Sequence, residues 1–300
     1  MLYDAIIIGG SFAGLSAALY LGRSRRSVLV LDTGAPRNRF AAASHGLFGQ
    51  DGHDPKVMLA TMRAQVAAYP TVRFMDEGAV DARREGDGFT VALANGEVVA
   101  GARLLLAFGI SDILAELPGL AERWGRSVIH CPYCHGYEFS GKRLGVLNQS
   151  PMSVHQATLV SEWGPTTFFL NGGAIEPDAA AELAQRGVAF EQEPVESLIG
   201  EGTSLSAVRL RSGREWPLDA LYIGPRNRFN SDIVEGLGCA VEAGPLGSLV
   251  TVDEMKATTV AGVYAAGDIT RMAHAVTFAC ADGVTAALGI HRSLVFSKAA

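Results

Sequence analysis

Asp4-Ala5-Ile6-Ile7-Ile8-Gly9-Gly10-Ser11-Phe12-Ala13-Gly14-Leu15 is the stretch that decides the fold. The apolar run Ala5 to Ile8 leads straight into a glycine-rich turn, and an Ala/Leu-rich segment from Leu15 to Leu21 follows with the character of a helix. A second apolar run, Ser27 to Leu31, ends on Asp32-Thr33-Gly34. Strand, glycine turn, helix, strand and acid, in that order, form the fingerprint of a dinucleotide-binding βαβ unit. Gly9 permits the tight turn, and Gly14 lets the helix lie close on the sheet. The backbone N–H groups of Ser11, Phe12 and Ala13 at the helix start are the donors for a pyrophosphate. Asp32 is placed to accept hydrogen bonds from a ribose, beside Thr33 and Gly34. Ser11 stands where the fingerprint has its middle glycine; as the smallest substitute it tightens the approach of a phosphate without blocking it. The motif alone does not separate FAD from NAD.

The 300 residues suffice for two ordinary domains. With 48% apolar and 19% charged residues the composition is that of a soluble globular chain, which excludes disordered and fibrous classes. No apolar run approaches the ~20 residues that a bilayer crossing needs. Met1-Leu2-Tyr3-Asp4 has no basic n-region, so the start reads as a first strand and not as a signal peptide, and a cytoplasmic location is expected. The formal charge of -6 argues against nucleic acid or an anionic membrane as partner.

Of the 4 cysteines, two are paired by spacing in Cys131-Pro132-Tyr133-Cys134-His135-Gly136-Tyr137-Glu138. A C-x-x-C pair is either a redox dithiol or half of a zinc site. The chain holds no second C-x-x-C or H-x-x-x-H, so redox use is expected and no metal. The thiolate is the reactive form, which makes a nearby proton acceptor important. His130 and His135 flank the pair and titrate near neutrality. His135 is read as catalytic; His130 reads equally as catalytic or as a structural imidazole. Cys239 and Cys280 read as buried core thiols.

Near the C-terminus, Thr258-Thr259-Val260-Ala261-Gly262-Val263-Tyr264-Ala265-Ala266-Gly267-Asp268 reads as a strand running into a Gly-Asp turn, with a helix from about His274 to His291. Together with the first fingerprint and the central dithiol, this resembles the low-molecular-weight thioredoxin reductases. The resemblance implies an α/β fold of two Rossmann-like, doubly wound, three-layer nucleotide-binding domains, with FAD as cofactor. It implies that Gly267 and Asp268 lie on the flavin side. Leu106-Ala107-Phe108-Gly109 matches a turn where the family has Thr, so Ala107 and Gly109 join the cofactor residues and Phe108 departs from the pattern. The family's Arg-Gln-Ala aligns with Ala273-His274-Ala275, which sets His274 and Ala275 by the flavin ring. Asn38, Arg39 and His45 are further candidates for holding the cofactor. By the same resemblance Cys134 is the flavin-proximal thiol and Cys131 the exchanging one, with His135 where the family has Asp. The block Cys131 to Glu138 more closely resembles a divergent branch that includes dithiol oxidases of the gliotoxin and holomycin type. A homodimer is implied, acting on a small-molecule dithiol or disulfide or on a thioredoxin-like protein.

The family's second Rossmann unit, for NADPH, falls in the insert between the FAD segments. Its first strand is expected at Arg143 to Leu147, and the turn reads Asn148-Gln149-Ser150-Pro151-Met152-Ser153, with none of the fingerprint glycines. Asn148 is the residue there that can take a left-handed conformation. A helix is expected from Met152 to Leu159. The strand Thr166 to Leu170 ends in Asn171-Gly172-Gly173, with neither an Arg cluster for a 2′-phosphate nor an acid for a ribose. The fold is expected to persist with an eroded NADPH site: either a pyridine nucleotide still binds weakly through other residues, or the domain now only carries the dithiol, the reading favoured here. Polar, Gly- and Pro-containing hinges at Asp112 to Pro118 and Glu242 to Gly247 set the expected domains: 1–113 with 245–300 for FAD, and 114–244 carrying the dithiol. Three functions remain open: a dithiol oxidase using oxygen, a reductase fed by NADPH or by a protein donor such as ferredoxin, and a flavin-bound redox sensor without turnover.

Overall fold

The structure is a computed structural model and describes residues 2–150 and 152–296; Met1, Pro151 and residues 297–300 lie outside the described residues. The first part of the chain forms β1 (Leu2–Ile8), α1 (Phe12–Arg23), β2 (Val28–Leu31), α2 (Pro55–Ala67), β3 (Val72–Met75), β4 (Ala79–Glu85), β5 (Gly88–Leu93), β6 (Val98–Leu106) and β7 (Ile110–Ile113). Next come β8 (Val128–Ile129), α3 (Pro132–His135), β9 (Leu144–Leu147), α4 (Met152–Val160), β10 (Thr166–Phe169), α5 (Pro177–Gln185), β11 (Ala189–Glu191), β12 (Val195–Ile199), β13 (Ala207–Leu210), β14 (Glu215–Pro217) and β15 (Ala220–Tyr222). The chain closes with β16 (Arg226–Phe229), α6 (Ile233–Gly236), β17 (Val241–Ala243), β18 (Ser248–Val250), β19 (Val263–Ala265) and α7 (Val276–Phe296).

Two compact units result: Met1–Arg39, Gly46–Ser111 and Arg228–Ala300 form the first, and Phe40–His45 with Asp112–Asn227 the second. In the first, the described strands run β3-β2-β1-β6-β5-β4, with β19 also on β6. β3, β2, β1, β6 and β19 are parallel, and the antiparallel β4–β5–β6 meander closes one end. A parallel strand covered on both faces needs apolar residues without interruption. β1 meets that demand: Ala5 and Ile7 pack with Leu15, Leu21 and Ile290 on one face, Ile6 and Ile8 with Phe89, Leu104 and Ile269 on the other.

The second unit carries an all-parallel sheet in the order β11-β10-β9-β15-β8. Ala157, Val160 and Leu183 from α4 and α5 cover one face, and Val195, Val208 and Leu210 from the β12-β13-β14 ribbon cover the other. Both units are thus layered α/β folds built on parallel strands, as the sequence predicts.

Three expectations need revision. The second crossing falls at Asn227/Arg228, well before the hinge expected at Glu242 to Gly247. Ile233, Val234 and Cys239 are the reason: they pack with Ile6, Phe89 and Leu104 in the first unit. Left-handed backbone near the β9–β10 region belongs to Asn171 (φ 54) and not to Asn148. Cys239 is buried as expected, but Cys280 on α7 is only partly so. Among the described residues no helix is long and apolar enough to cross a membrane.

Candidate functional site

The glycine turn forms as its spacing requires. Gly9 adopts φ +110, and a Cβ there would run into the Ala107 carbonyl; a Cβ on Gly14 would overlap the Gly9 carbonyl oxygen. Both positions therefore exclude any side chain, the first by conformation and contact, the second by contact alone. Ser11 ends the turn as N-cap of α1 in extended conformation and makes no side-chain capping bond, so its hydroxyl does not compete for the N–H groups of the first turn. Gly10 N–H donates to Asp32 Oδ1 at 3.2 Å, which fixes the carboxylate at the end of β2.

A cavity of about 200 Å³ opens beside this turn, bounded by Gly10, Ser11, Asp32 and Gly34 on one side and by Lys56 and Arg63 of α2 on the other. Arg63 comes to 3.8 Å from Asp32 Oδ2. Backbone donors, an acid and two cations around one cavity fit the ribose and phosphates of a dinucleotide. Lys56 and Arg63 were not legible as site residues, since the exposed side of a helix carries such cations by default.

Asp268 opens a short 3-10 turn after Gly267, whose φ is +82. The Arg37 guanidinium donates to Asp268 Oδ2 at 3.1 Å. Arg39 instead turns back on the Ala35 and Pro36 carbonyls. Ala107 is buried with its N–H on the Ile8 carbonyl, and Gly109 has φ +69. Thr33 and Gly34 are exposed after Asp32, and Asn38 is half-buried within the 3-10 turn Arg37–Phe40. His274 and Ala275 are half-buried before α7, where the Ala275 carbonyl accepts the Ala279 N–H.

In the second unit the dithiol sits where β8 gives way to α3. Cys131 keeps extended backbone (φ −108, ψ 116) as N-cap, and Pro132 starts the helix with its preset φ. The Cys131 and Cys134 sulfurs lie 2.6 Å apart, so the pair closes to a disulfide with a small side-chain rotation. Gln156 of α4 donates to the His130 carbonyl at 2.6 Å, and His130 Nδ1 lies 3.2 Å from the Ile223 carbonyl. These bonds tie the residue before Cys131 to the end of β15.

His135 is the last residue of α3, and its ring meets that of His45 edge-on at 6.1 Å. His45 Nε2 lies 3.4 Å from Glu138 Oε1. Burial lowers the His135 pKa below its ordinary value; the Glu138 carboxylate opposes this and His45 adds to it. His135 is thereby kept as a neutral imidazole near neutral pH, the form that accepts a proton. His45, expected near a cofactor, is thus brought to the dithiol's histidine. No local signal in the sequence joins a residue at 45 to one at 135.

Residues 3–160 match the pyridine nucleotide-disulphide oxidoreductase family. Thioredoxin reductase tcpT of Claviceps purpurea is 33% identical over 284 residues, covering 89% of this chain and 86% of the relative. Thioredoxin reductase sirT of Leptosphaeria maculans is 30% identical, covering 97% and 94%. An oxidoreductase from Agrobacterium tumefaciens of known crystal structure is 45% identical, with TM-score 0.95 and coverage of 99% of this chain and 100% of that one.

The chain belongs to the pyridine nucleotide-disulphide oxidoreductases.

It is a flavin-dependent disulfide oxidoreductase of the thioredoxin reductase-like type, and the Gly10–Asp32 turn and its cavity fit the FAD that this family uses. Gln149 and Ser150 point their N–H groups at Ser153 Oγ, at 3.0 and 3.1 Å. Ser153 is fully buried, and its hydroxyl accepts both bonds.

Proposed function

We propose that this oxidoreductase is a dithiol oxidase: it takes two electrons from a substrate dithiol through Cys131/Cys134 and passes them by way of FAD to oxygen, without NADPH. The observation that carries the reading is the self-closed β9–α4 turn, where Ser153 Oγ accepts from Gln149 and Ser150. A pyrophosphate would have to displace these bonds to the buried Ser153, in a turn without the glycines that let phosphate approach.

In this reading Cys131 is the exchanging thiol. A substrate thiolate attacks Cys131 Sγ, the Cys131–Cys134 bond breaks, and Cys134 leaves as thiolate. The second substrate thiol then attacks the sulfur already joined to Cys131, leaving substrate as disulfide and both cysteines reduced. Neutral His135 takes one of the two substrate protons and solvent the other. Bound FAD supplies the two-electron acceptor for the reduced pair and the route to oxygen, with hydrogen peroxide as product. Gly9, Ser11, Phe12, Ala13, Gly14 and Asp32 would hold its dinucleotide part, and Asp268 with Arg37 the part nearer the flavin. The same reading has a cytoplasmic homodimer acting on a small-molecule dithiol. A second reading, a reductase acting on a thioredoxin-like protein and fed by NADPH or a protein donor, is favoured by the names of the relatives tcpT and sirT.

Anaerobic titration of the yellow protein, with NADPH and separately with dithiothreitol, separates the oxidase from an NADPH-fed reductase and leaves a protein-fed reductase as the remaining rival. Dithiothreitol bleaches the flavin absorbance and air restores it, while NADPH leaves the spectrum unchanged. Rapid bleaching by NADPH overturns the oxidase reading.

A further inference from the structure

Tyr222, the last residue of β15, is fully buried, yet its hydroxyl has no hydrogen-bond partner. A buried, unsatisfied O–H costs stability, so a phenylalanine would serve the core better. The residue's position suggests what the hydroxyl is for. β15 pairs in parallel with β8, and Tyr222 stands opposite Ile129. Partners in a parallel ladder share a face, and both side chains belong to the same apolar cluster, against which Phe139 and Trp163 pack. Cys131 follows Ile129 by two residues and keeps extended backbone. β8 ends at Ile129 and the chain bends at His130, which leaves Cys131 close enough for its charge to bear on the Tyr222 hydroxyl.

We propose that Tyr222 is a positioning residue for the dithiol: its hydroxyl donates a hydrogen bond to the Cys131 thiolate once the Cys131–Cys134 disulfide opens. Burial raises the Tyr222 pKa far above its ordinary value, and negative charge on Cys131 and Glu138 raises it further, so the proton stays on the phenol throughout. Other polar groups gather around the histidines that flank the pair. His135 and Cys134 belong to α3, Glu138 to the following 3-10 turn and His45 to the segment before Gly46, while α4 contributes the neutral Gln156 through His130. Among these, Tyr222 is the donor that is fully buried and cannot exchange its bond for water.

The test reads thiolate formation and needs neither flavin nor turnover. The proposal rests on the dithiol being the reactive pair, but failure of the oxidase reading leaves this readout intact. In a Cys134→Ser chain, alkylation of Cys131 by iodoacetamide is followed against pH, with the labelled peptide quantified by mass spectrometry. Adding Tyr222→Phe is expected to slow alkylation at neutral pH by roughly tenfold, the weight of one hydrogen bond to a charged group. The profile moves to higher pH, and the thermal midpoint holds or rises. Superimposable profiles overturn the proposal, as does an unchanged profile with a fallen midpoint, which would mark a structural hydroxyl. A second measurement keeps the wild-type side-chain shape: 3-fluorotyrosine at position 222 is expected to shift its fluorine resonance when the dithiol is reduced. A resonance identical in both redox states sinks the idea.

Discussion

At neutral pH the His135 ring carries no charge because its burial outweighs the pull of the Glu138 carboxylate, and His45 pushes in the same direction as burial. A base of this kind works when deprotonated, so dithiol oxidation should rise with pH along an acidic limb centred below the ordinary imidazole value of 6.5. Glu138→Gln removes the one influence that raises the pKa, and the limb should move to lower pH. His45→Asn removes a neighbour that lowers it, and the limb should move up. His135→Asn should abolish the limb and cost about 100-fold in kcat/KM. Limbs that move in the same direction in the first two variants would refute this account of the site. At this scale the sequence shows what spacing can show. Cys131, Cys134 and Asp32 stand out because their chemistry is carried by short motifs. Glu138, Tyr222 and the His45–His135 contact do not, since they arise where segments distant in sequence meet.

The elements repeat the lesson with a different physics. β1, α1 and β2 are legible because uninterrupted burial and a glycine turn leave local marks in the chain. β19 is shorter than the stretch from Thr258 suggests: Val263–Ala265 pairs with β6, whereas Thr258 turns its hydroxyl on the Val260 and Val263 carbonyls. The same competition acts in the β9–α4 turn, where the hydroxyl of Ser153 accepts from the Gln149 and Ser150 N–H groups. Glycine at position 14 is a demand of the α1 element. Its missing Cβ makes room for the Gly9 carbonyl, which sits in the turn itself. Gly14→Ala favours helix by propensity, yet it should destabilise the protein by about 1–3 kcal/mol in urea unfolding, because the turn and α1 must part. It should also lower flavin content on purification. A stabilised, fully yellow variant would show that α1 tolerates displacement, and would remove the close approach from the argument for the dinucleotide turn.

For the whole molecule, each unit closes its own apolar core. One unit's clusters gather around β1, β6, α1 and α7, the other's around β9, β15 and α4. The expected boundary at 245 was misplaced because hinge composition is a local signal, while core membership of Ile233 and Val234 is not. The tryptophans supply a probe of this organisation. Trp124, Trp163 and Trp216, the 3 in the chain, all lie within Asp112–Asn227. Tryptophan emission therefore reports the unit that carries the dithiol, and flavin release reports the unit that carries the Gly9 turn. A ligand that binds only the folded state stabilises what it binds by RT ln(1 + [L]/Kd), about 2.7 kcal/mol at a hundredfold excess over Kd. Denaturation followed by both signals, with and without added FAD, should thus shift the flavin-release transition to higher denaturant and leave the tryptophan transition where it was. If both move together, folding of the dithiol unit depends on the cofactor bound by the other. The two cores then form one cooperative system, and a mutation in either is read out by both signals.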